Sequence, residues 1–262
     1  MNKIQRIEEK IAKKELVLGT HSSLGYPVIA EMLGEAGFDA LWIDTEHTAI
    51  DRQDLLLNVI ATEGTQMAPF VRIPWNDPVL AKPVLEMGVA GIIFPFIRTA
   101  EEAKLAVASC TYPPDGIRGF GPIRAVRYGN IDTMEYIHTI SKQVWKILQI
   151  EHVDAVKNID EILAVKGVSA VVIGPNDLSG SIGLLGQPGH PQVRELIEVV
   201  AGKCSKAGIP FGVSTGYNPN DKKSFEYWIG LNVQFIFLGG DTAFLMSGAR
   251  QTIQGVNEIL KE

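Results

Sequence analysis

The chain has 262 residues, 46% hydrophobic and 21% charged, with a formal net charge of −6. That balance excludes extended disorder, and without a long Lys/Arg run there is no electrostatic reason to expect nucleic acid or an anionic membrane surface as a partner. Two cysteines, neither with a partner at metal-ligand spacing, and no run of about 18 uncharged apolar residues point to a reduced, cytoplasmic chain without a membrane span.

Residues 1–15, MNKIQRIEEKIAKKE, read as an amphipathic charged helix that lacks the apolar stretch of a signal peptide. Eight short apolar runs follow: ELVLGT (15–20), ALWID (40–44), APFVR (68–72), GIIFP (91–95), VWKILQIE (144–151), SAVVIG (169–174), PFGVS (210–214) and QFIFLG (234–239). Their continuous apolar character suits parallel strands covered on both faces. Between them lie amphipathic segments: Pro27 to Ala36, Arg52 to Thr62, Val79 to Met87, Glu101 to Ser109, Gln192 to Lys206 and Asp221 to Ile229. Gly37, Gly64, Gly88, Gly167, Gly208 and Gly230 stand where helices should end, as C-terminal capping requires.

Strict βα alternation over this length predicts one (β/α)8 barrel domain spanning residues 1–262. An open doubly wound sheet is the rival, but its Gly-rich phosphate turn is missing: the first turn reads GTHSSLGYP. One stretch breaks the rhythm, the Pro/Gly/Arg-rich loop from Cys110 to Asn130, and loops of such length are usually functional or disordered.

Barrel chemistry sits at the C-terminal ends of the strands. The residues expected there are His21, then Asp44, Glu46 and His47, then Arg72, Gln149, Glu151, Asn176, Asp177, Ser214 and Asp241. Glu151 and Asp177 could hold a hard divalent cation such as Mg²⁺ or Mn²⁺, or could be rim carboxylates in salt bridges. His47 suits acid–base work near neutral pH, with Asp44 or Glu86 fixing its tautomer, or is a capping or surface histidine. Arg72 suits a substrate carboxylate or a developing enolate, or forms an ion pair with Asp44 or Glu46. The segment GPNDLSGSIG should turn into a short helix. His138, His152 and His190 read as solvated or structural, and the four tryptophans as packing. Lys146 lies inside a strand, which argues against Schiff-base chemistry.

The blocks FDALWIDTEHTAID, PFVRIPWNDP, YPPDGIRGFGPIRAVRYG, LQIE, VVIGPNDLSGSIG and FLGGDTAFL, in this order, resemble the HpcH/HpaI aldolase family of metal-dependent class II pyruvate aldolases. The resemblance runs from about Leu16 to the end of the chain. It implies reversible cleavage of a 4-hydroxy-2-oxo acid to pyruvate, or a related 2-oxo acid, and an aldehyde. Family substrates include 4-hydroxy-2-oxoheptanedioate, 2-keto-3-deoxy-rhamnonate and 5-keto-4-deoxy-glucarate. It further implies Mg²⁺, Mn²⁺ or Co²⁺ on Glu151 and Asp177, His47 as base with Asp44 beside it, Arg72 at the enolate, and Gln149 near the metal and the oxo group. A homo-oligomer is implied too, trimer or hexamer, with the last helix exchanged between neighbours. Asn176 replaces a smaller residue of the family pattern, Ser214 stands in a usually more apolar segment, and Glu86 replaces an Asp; the first two positions face the substrate in that pattern. The alternatives are a citrate-lyase-like or malyl-CoA-type lyase and a carboxylate-binding barrel without catalysis.

Overall fold

The computed structural model describes residues 3–216 and 222–261. Eight parallel strands close into a barrel in sequence order: β1 (Val17–Ser22), β2 (Ala40–Asp44), β3 (Ala68–Arg72), β4 (Gly91–Phe94), β5 (Trp145–Ile150), β6 (Ala170–Ile173), β7 (Phe211–Thr215) and β8 (Phe235–Gly240). The expected barrel thus forms, and every expected strand is present. β1 begins and ends two residues later than its apolar run, which brings His21 inside the strand. Among the described residues no helix is long and apolar enough to cross a membrane.

The helices form where local chemistry starts and stops them. Asp51 caps Arg52–Ala61 by accepting from the Gln53 and Asp54 amides. Thr99 and Glu102 make a capping box at Ala100–Cys110. Gly37, Gly88, Gly167 and Gly208 take the left-handed conformation after helices, as expected. Gly64 and Gly230 do not; after Lys222–Gly230 that role falls to Asn232 (φ 56°), whose short polar side chain tolerates it. Asp221, expected at the start of that helix, lies outside the described residues. The loop after Cys110 is ordered against the outside of the barrel: Tyr112, Ala125, Val126 and Tyr136 pack together, and Gly119 lies against the Lys82 side chain.

Side chains alternate between two cores, as strand geometry requires. Outward residues such as Leu41, Ile43, Val71, Leu148 and Ile173 pack beneath the helices. Inward residues, among them Trp42, Phe70, Ile147, Val172, Phe235 and Phe237, fill the barrel. The rings interlock edge-on, with Trp42 and Phe237 centroids 5.1 Å apart. Two glycines make room for them: a Cβ at Gly19 would lie 2.4 Å from the Phe237 ring, and one at Gly212 would lie 2.2 Å from the Phe235 ring. Each such ring contributes about 1.5–3 kcal/mol by leaving water. Continuing up the same inward faces, the next side chains are His21, Asp44, Arg72, Gln149, Glu151 and Ser214. The strand period therefore sets a polar layer directly on an aromatic floor.

Candidate active site

Asp44 and Arg72 face one another at the ends of β2 and β3, whose register pairs them directly. The guanidinium donates to both carboxylate oxygens, Nε to Oδ1 at 2.9 Å and Nη2 to Oδ2 at 2.7 Å. Its Nη1 lies 3.0 Å from Glu46 Oε2, and its carbon sits 5.2 Å from the centre of the Trp42 ring. Burial disfavours the charges, yet the paired guanidinium holds the Asp44 carboxyl below the usual range and the carboxylates raise Arg72. Glu46, placed by the turn after β2, is raised by burial, with Asp44 and Asp177 adding to the rise and Arg72 opposing it. The ion pairs that the sequence allowed for Arg72 both form, with Asp44 and with Glu46. Glu46 stands between Arg72 and the imidazole, but His47 Nε2 is 3.8 Å from its Oε2, too far for a hydrogen bond.

His47 itself is exposed on the rim. Asp44 reaches it only through the backbone, where the His47 amide points to Oδ1 at 3.5 Å, because both carboxylate oxygens are committed to Arg72. Glu86 does not support it within this chain either. It ends the helix Pro78–Glu86, which runs back from the mouth to the start of β4, and its Oε1 accepts from Arg118 Nη2 at 3.0 Å. Neither Asp44 nor Glu86 therefore bonds the imidazole within this chain; the expectation that one of them fixes its tautomer is not met by the geometry of the single chain.

Across the mouth, Glu151 follows β5 and is only 1% exposed. Oε1 accepts from the Phe96 amide at 2.8 Å, and Oε2 accepts from Gln149 Nε2. Both donors are neutral. Burial, joined by Asp177 and Glu46, pushes the Glu151 carboxyl up to about 8. Asp177 sits exposed in the first turn of the short helix Pro175–Gly180, which forms as the GPNDLSGSIG segment predicts. Gly174 keeps this corner open, since a Cβ there would lie 2.7 Å from Glu151 Oε2 and 3.0 Å from Gln149 Nε2. Asn176 is exposed beside Asp177.

Two carboxylates with no cationic side chain bonded to them, and the buried Gln149 Oε1 with no hydrogen-bond partner, make an oxygen-rich corner that fits a hard divalent cation. Among the described residues no group of three or more His, Cys, Asp or Glu side chains forms a fuller ligand cage. A two-carboxylate site of this kind leaves coordination positions for water and substrate. On the far side, Ser214 Oγ lies 3.0 Å from His21 Nε2. Lys146 is turned out of the barrel toward the Lys142 carbonyl, so no amine stands at the mouth from β5. A cavity of about 750 Å³ at the opposite end, between Lys3, Pro69, Arg124 and Tyr136, contains none of these residues.

Known proteins resemble this chain over most of its length. The HpcH/HpaI aldolase/citrate lyase family profile matches residues 18–237. A 5-keto-4-deoxy-D-glucarate aldolase of Escherichia coli is 34% identical over 247 residues, 94% of each chain. The crystal structure of an HpcH/HpaI aldolase from Desulfitobacterium hafniense is 30% identical and superimposes with a TM-score of 0.87 over 96% of each chain. The citrate synthase SbnG, 25% identical, has a TM-score of 0.85 over 97% of this chain and 98% of its own. The chain belongs to the HpcH/HpaI aldolase/citrate lyase family and is a metal-dependent class II aldolase, a carbon–carbon lyase that cleaves a hydroxy-oxo acid to pyruvate and an aldehyde.

Proposed function

We propose that the physiological substrate is a 4-hydroxy-2-oxo acid of the sugar-acid kind, related to the 5-keto-4-deoxy-D-glucarate named for the Escherichia coli relative. The observation that carries this reading is the division of the mouth. A guanidinium held rigidly by Asp44 lies on one side, and the carboxylates of Glu151 and Asp177, bonded to no cationic side chain, lie on the other. Glu151 and Asp177 would hold the cation, with Gln149 beside them; Mg²⁺, Mn²⁺ and Co²⁺ all suit oxygen ligands. A cation bound there supplies Lewis acidity toward the 2-oxo group of the substrate.

The rest is the work of the chain's own residues. Arg72, kept in place by Asp44, meets the negative charge that gathers on the C2 oxygen when the C3–C4 bond breaks. His47 takes the proton of the C4 hydroxyl, whose oxygen becomes the aldehyde carbonyl, while the C3–C4 electron pair passes to the enolate. The proton that His47 has taken balances the one that C3 accepts from solvent, which completes pyruvate and returns His47 to its starting state. Asn176 and Ser214 meet the remainder of the substrate.

The same reading makes residues 1–262 one catalytic domain, working in the cytoplasm as a homo-oligomer, trimer or hexamer, on small molecules alone. Free, buried Cys110 and Cys204 agree with a reducing compartment. The terminal helix Asp241–Ile259 supports assembly: apart from Asp241 its residues are not buried, and Phe244, Leu245, Ile253, Val256 and Ile259 stay exposed. Exchanging this helix between subunits would cover that apolar face. Glu86, at the far end of the barrel, is then available only to a neighbouring subunit.

The test is pyruvate release from a panel of 4-hydroxy-2-oxo acids, first in EDTA and then with Mg²⁺, Mn²⁺ or Co²⁺ restored. Metal-dependent release, fastest with 5-keto-4-deoxy-D-glucarate or another polyhydroxylated acid, is expected. Release only from unsubstituted chains, or only with coenzyme A present, would overturn the substrate class.

A further inference from the structure

The strand register places Ser214 where it can read the substrate. Ile150 of β5 pairs with Ile173 of β6, and Ile173 with Val213 of β7. The next residues on these strands are Glu151, Gly174 and Ser214, one rung of the barrel. Gly174, on the strand between them, carries no side chain, and the Glu151 and Ser214 positions are roughly 10 Å apart at the spacing of two strands. β7 also lies opposite β3 in a closed ring of eight. A 2-oxo acid held between Arg72 on β3 and Glu151 on β5 therefore turns its other end toward the wall formed by β7, β8 and β1.

That wall is polar by construction. Ser214 on β7 and His21 on β1 are not on adjacent strands, since β8 separates them, so their 3.0 Å contact crosses the barrel interior. His21 is held from behind: its Nδ1 lies 2.6 Å from the Gly239 carbonyl oxygen. The carbonyl is brought there by two features of the β1–β8 seam. The register slips between Gly19, opposite Phe237, and His21, opposite Gly240. Gly239 takes a left-handed φ of 60°. Bulges at barrel rims re-aim side chains in this way. The ring is also seated against Trp42 and Phe237, with centroids 5.2 and 5.8 Å away.

A carbonyl oxygen only accepts, so Nδ1 carries the ring proton and the neutral ring presents a bare Nε2. Burial, with the nearby Arg72, keeps the ring neutral. Nε2 then accepts the Ser214 proton, and only the lone pairs of Oγ remain for the substrate. We infer that His21 is a positioning residue that fixes Ser214 as a hydrogen-bond acceptor, and that Ser214 thereby selects aldehydes carrying a hydroxyl group. The inference rests on the aldolase reading of the site and adds to it the chemistry of the aldehyde half.

The experiment is condensation of pyruvate with matched aldehydes, glycolaldehyde against acetaldehyde and glyceraldehyde against propionaldehyde, using the metal-loaded full chain. The readout is the ratio of kcat/KM within each pair. The wild type should favour the hydroxylated partner by about tenfold, the effect of one neutral hydrogen bond made to an otherwise unpaired acceptor. Ser214→Ala should bring the ratio close to one, and Ser214→Thr, which keeps the hydroxyl, should retain the preference. His21→Asn keeps a donor for the Gly239 carbonyl at the place of Nδ1, but its side chain is too short to carry its acceptor oxygen to Ser214, where Nε2 stood. It should lose the preference while its thermal melting stays near that of the wild type. A wild type without preference, or ratios unchanged in Ser214→Ala and His21→Asn, overturns the inference and leaves the aldolase assignment standing. A wild type that condenses no aldehyde at all overturns both.

Discussion

The two sides of the barrel mouth hold carboxylates in opposite ways. Asp44 has a guanidinium on both oxygens and stays ionised despite burial. Glu151 is buried still more deeply, but its donors are an amide N–H and a carboxamide, and burial, with Asp177 and Glu46, outweighs the opposing Arg72 and drives its carboxyl up to about 8. The same group, in the same layer of the same barrel, is finished as an ion pair on one side and left short of positive charge on the other. The lesson is electrostatic: the Asp44 side is a completed structural device that aims Arg72, and the Glu151 side is completed only by something the chain does not carry.

Removing the carboxylate charge on the incomplete side should do the most harm. Glu151→Gln is expected to lower metal-dependent pyruvate release by about a thousandfold or more, since the cation's stabilisation of developing charge goes with it. It should also abolish the rise in melting temperature that Mn²⁺ gives the wild type over EDTA. Full activity in this variant with metal present would show that the asymmetry has no catalytic meaning.

Loosening the completed side should cost less. Arg72→Lys keeps the charge but cannot fork onto both oxygens of Asp44 while reaching Glu46, so kcat/KM should fall about a hundredfold with metal affinity unchanged. A loss of metal binding equal to the loss of rate would mean that the two sides are not separate devices.

The smallest effect is on stability. Below the ordinary carboxyl value of 4.5 Glu151 is protonated in both folded and unfolded chains; between 4.5 and about 8 the metal-free folded protein keeps a proton that the unfolded chain gives up. The folded state is therefore the one that binds more protons, and stability falls as pH rises through that window. Melting temperatures in EDTA should decline from pH 5 to pH 8, and the decline should be shallower in Glu151→Gln.

Most of the fold can be read from the sequence because buried parallel strands are continuous apolar runs between glycine-capped helices, and those signals are local. The residues that gave trouble are those whose roles are set across the barrel. His21 follows an apolar run whose end cannot be placed to within two residues, and its significance depends on a bulge against β8. Glu46 is one of two possible ion-pair partners of Arg72 in the sequence, and only the fold of the turn lets it pair alongside Asp44. Glu86 is placed beside His47 by residue type and by the family pattern, whereas within this chain the helix that carries it returns to the other end of the barrel. Gln149 and Glu151 are conspicuous because they close or directly follow an apolar strand, and Asp177 because it stands in the turn after one, where a barrel keeps its chemistry.

The aromatic floor has a consequence for evolution and for redesign. Phe235 and Phe237 are fitted over Gly212 and Gly19 with no space for even a methyl group. A longer aldehyde can gain no depth below the polar layer and can extend only outward, past the rim. A new specificity is therefore to be sought in the loops and the uppermost inward residues, with the glycines and rings underneath left untouched as a plinth.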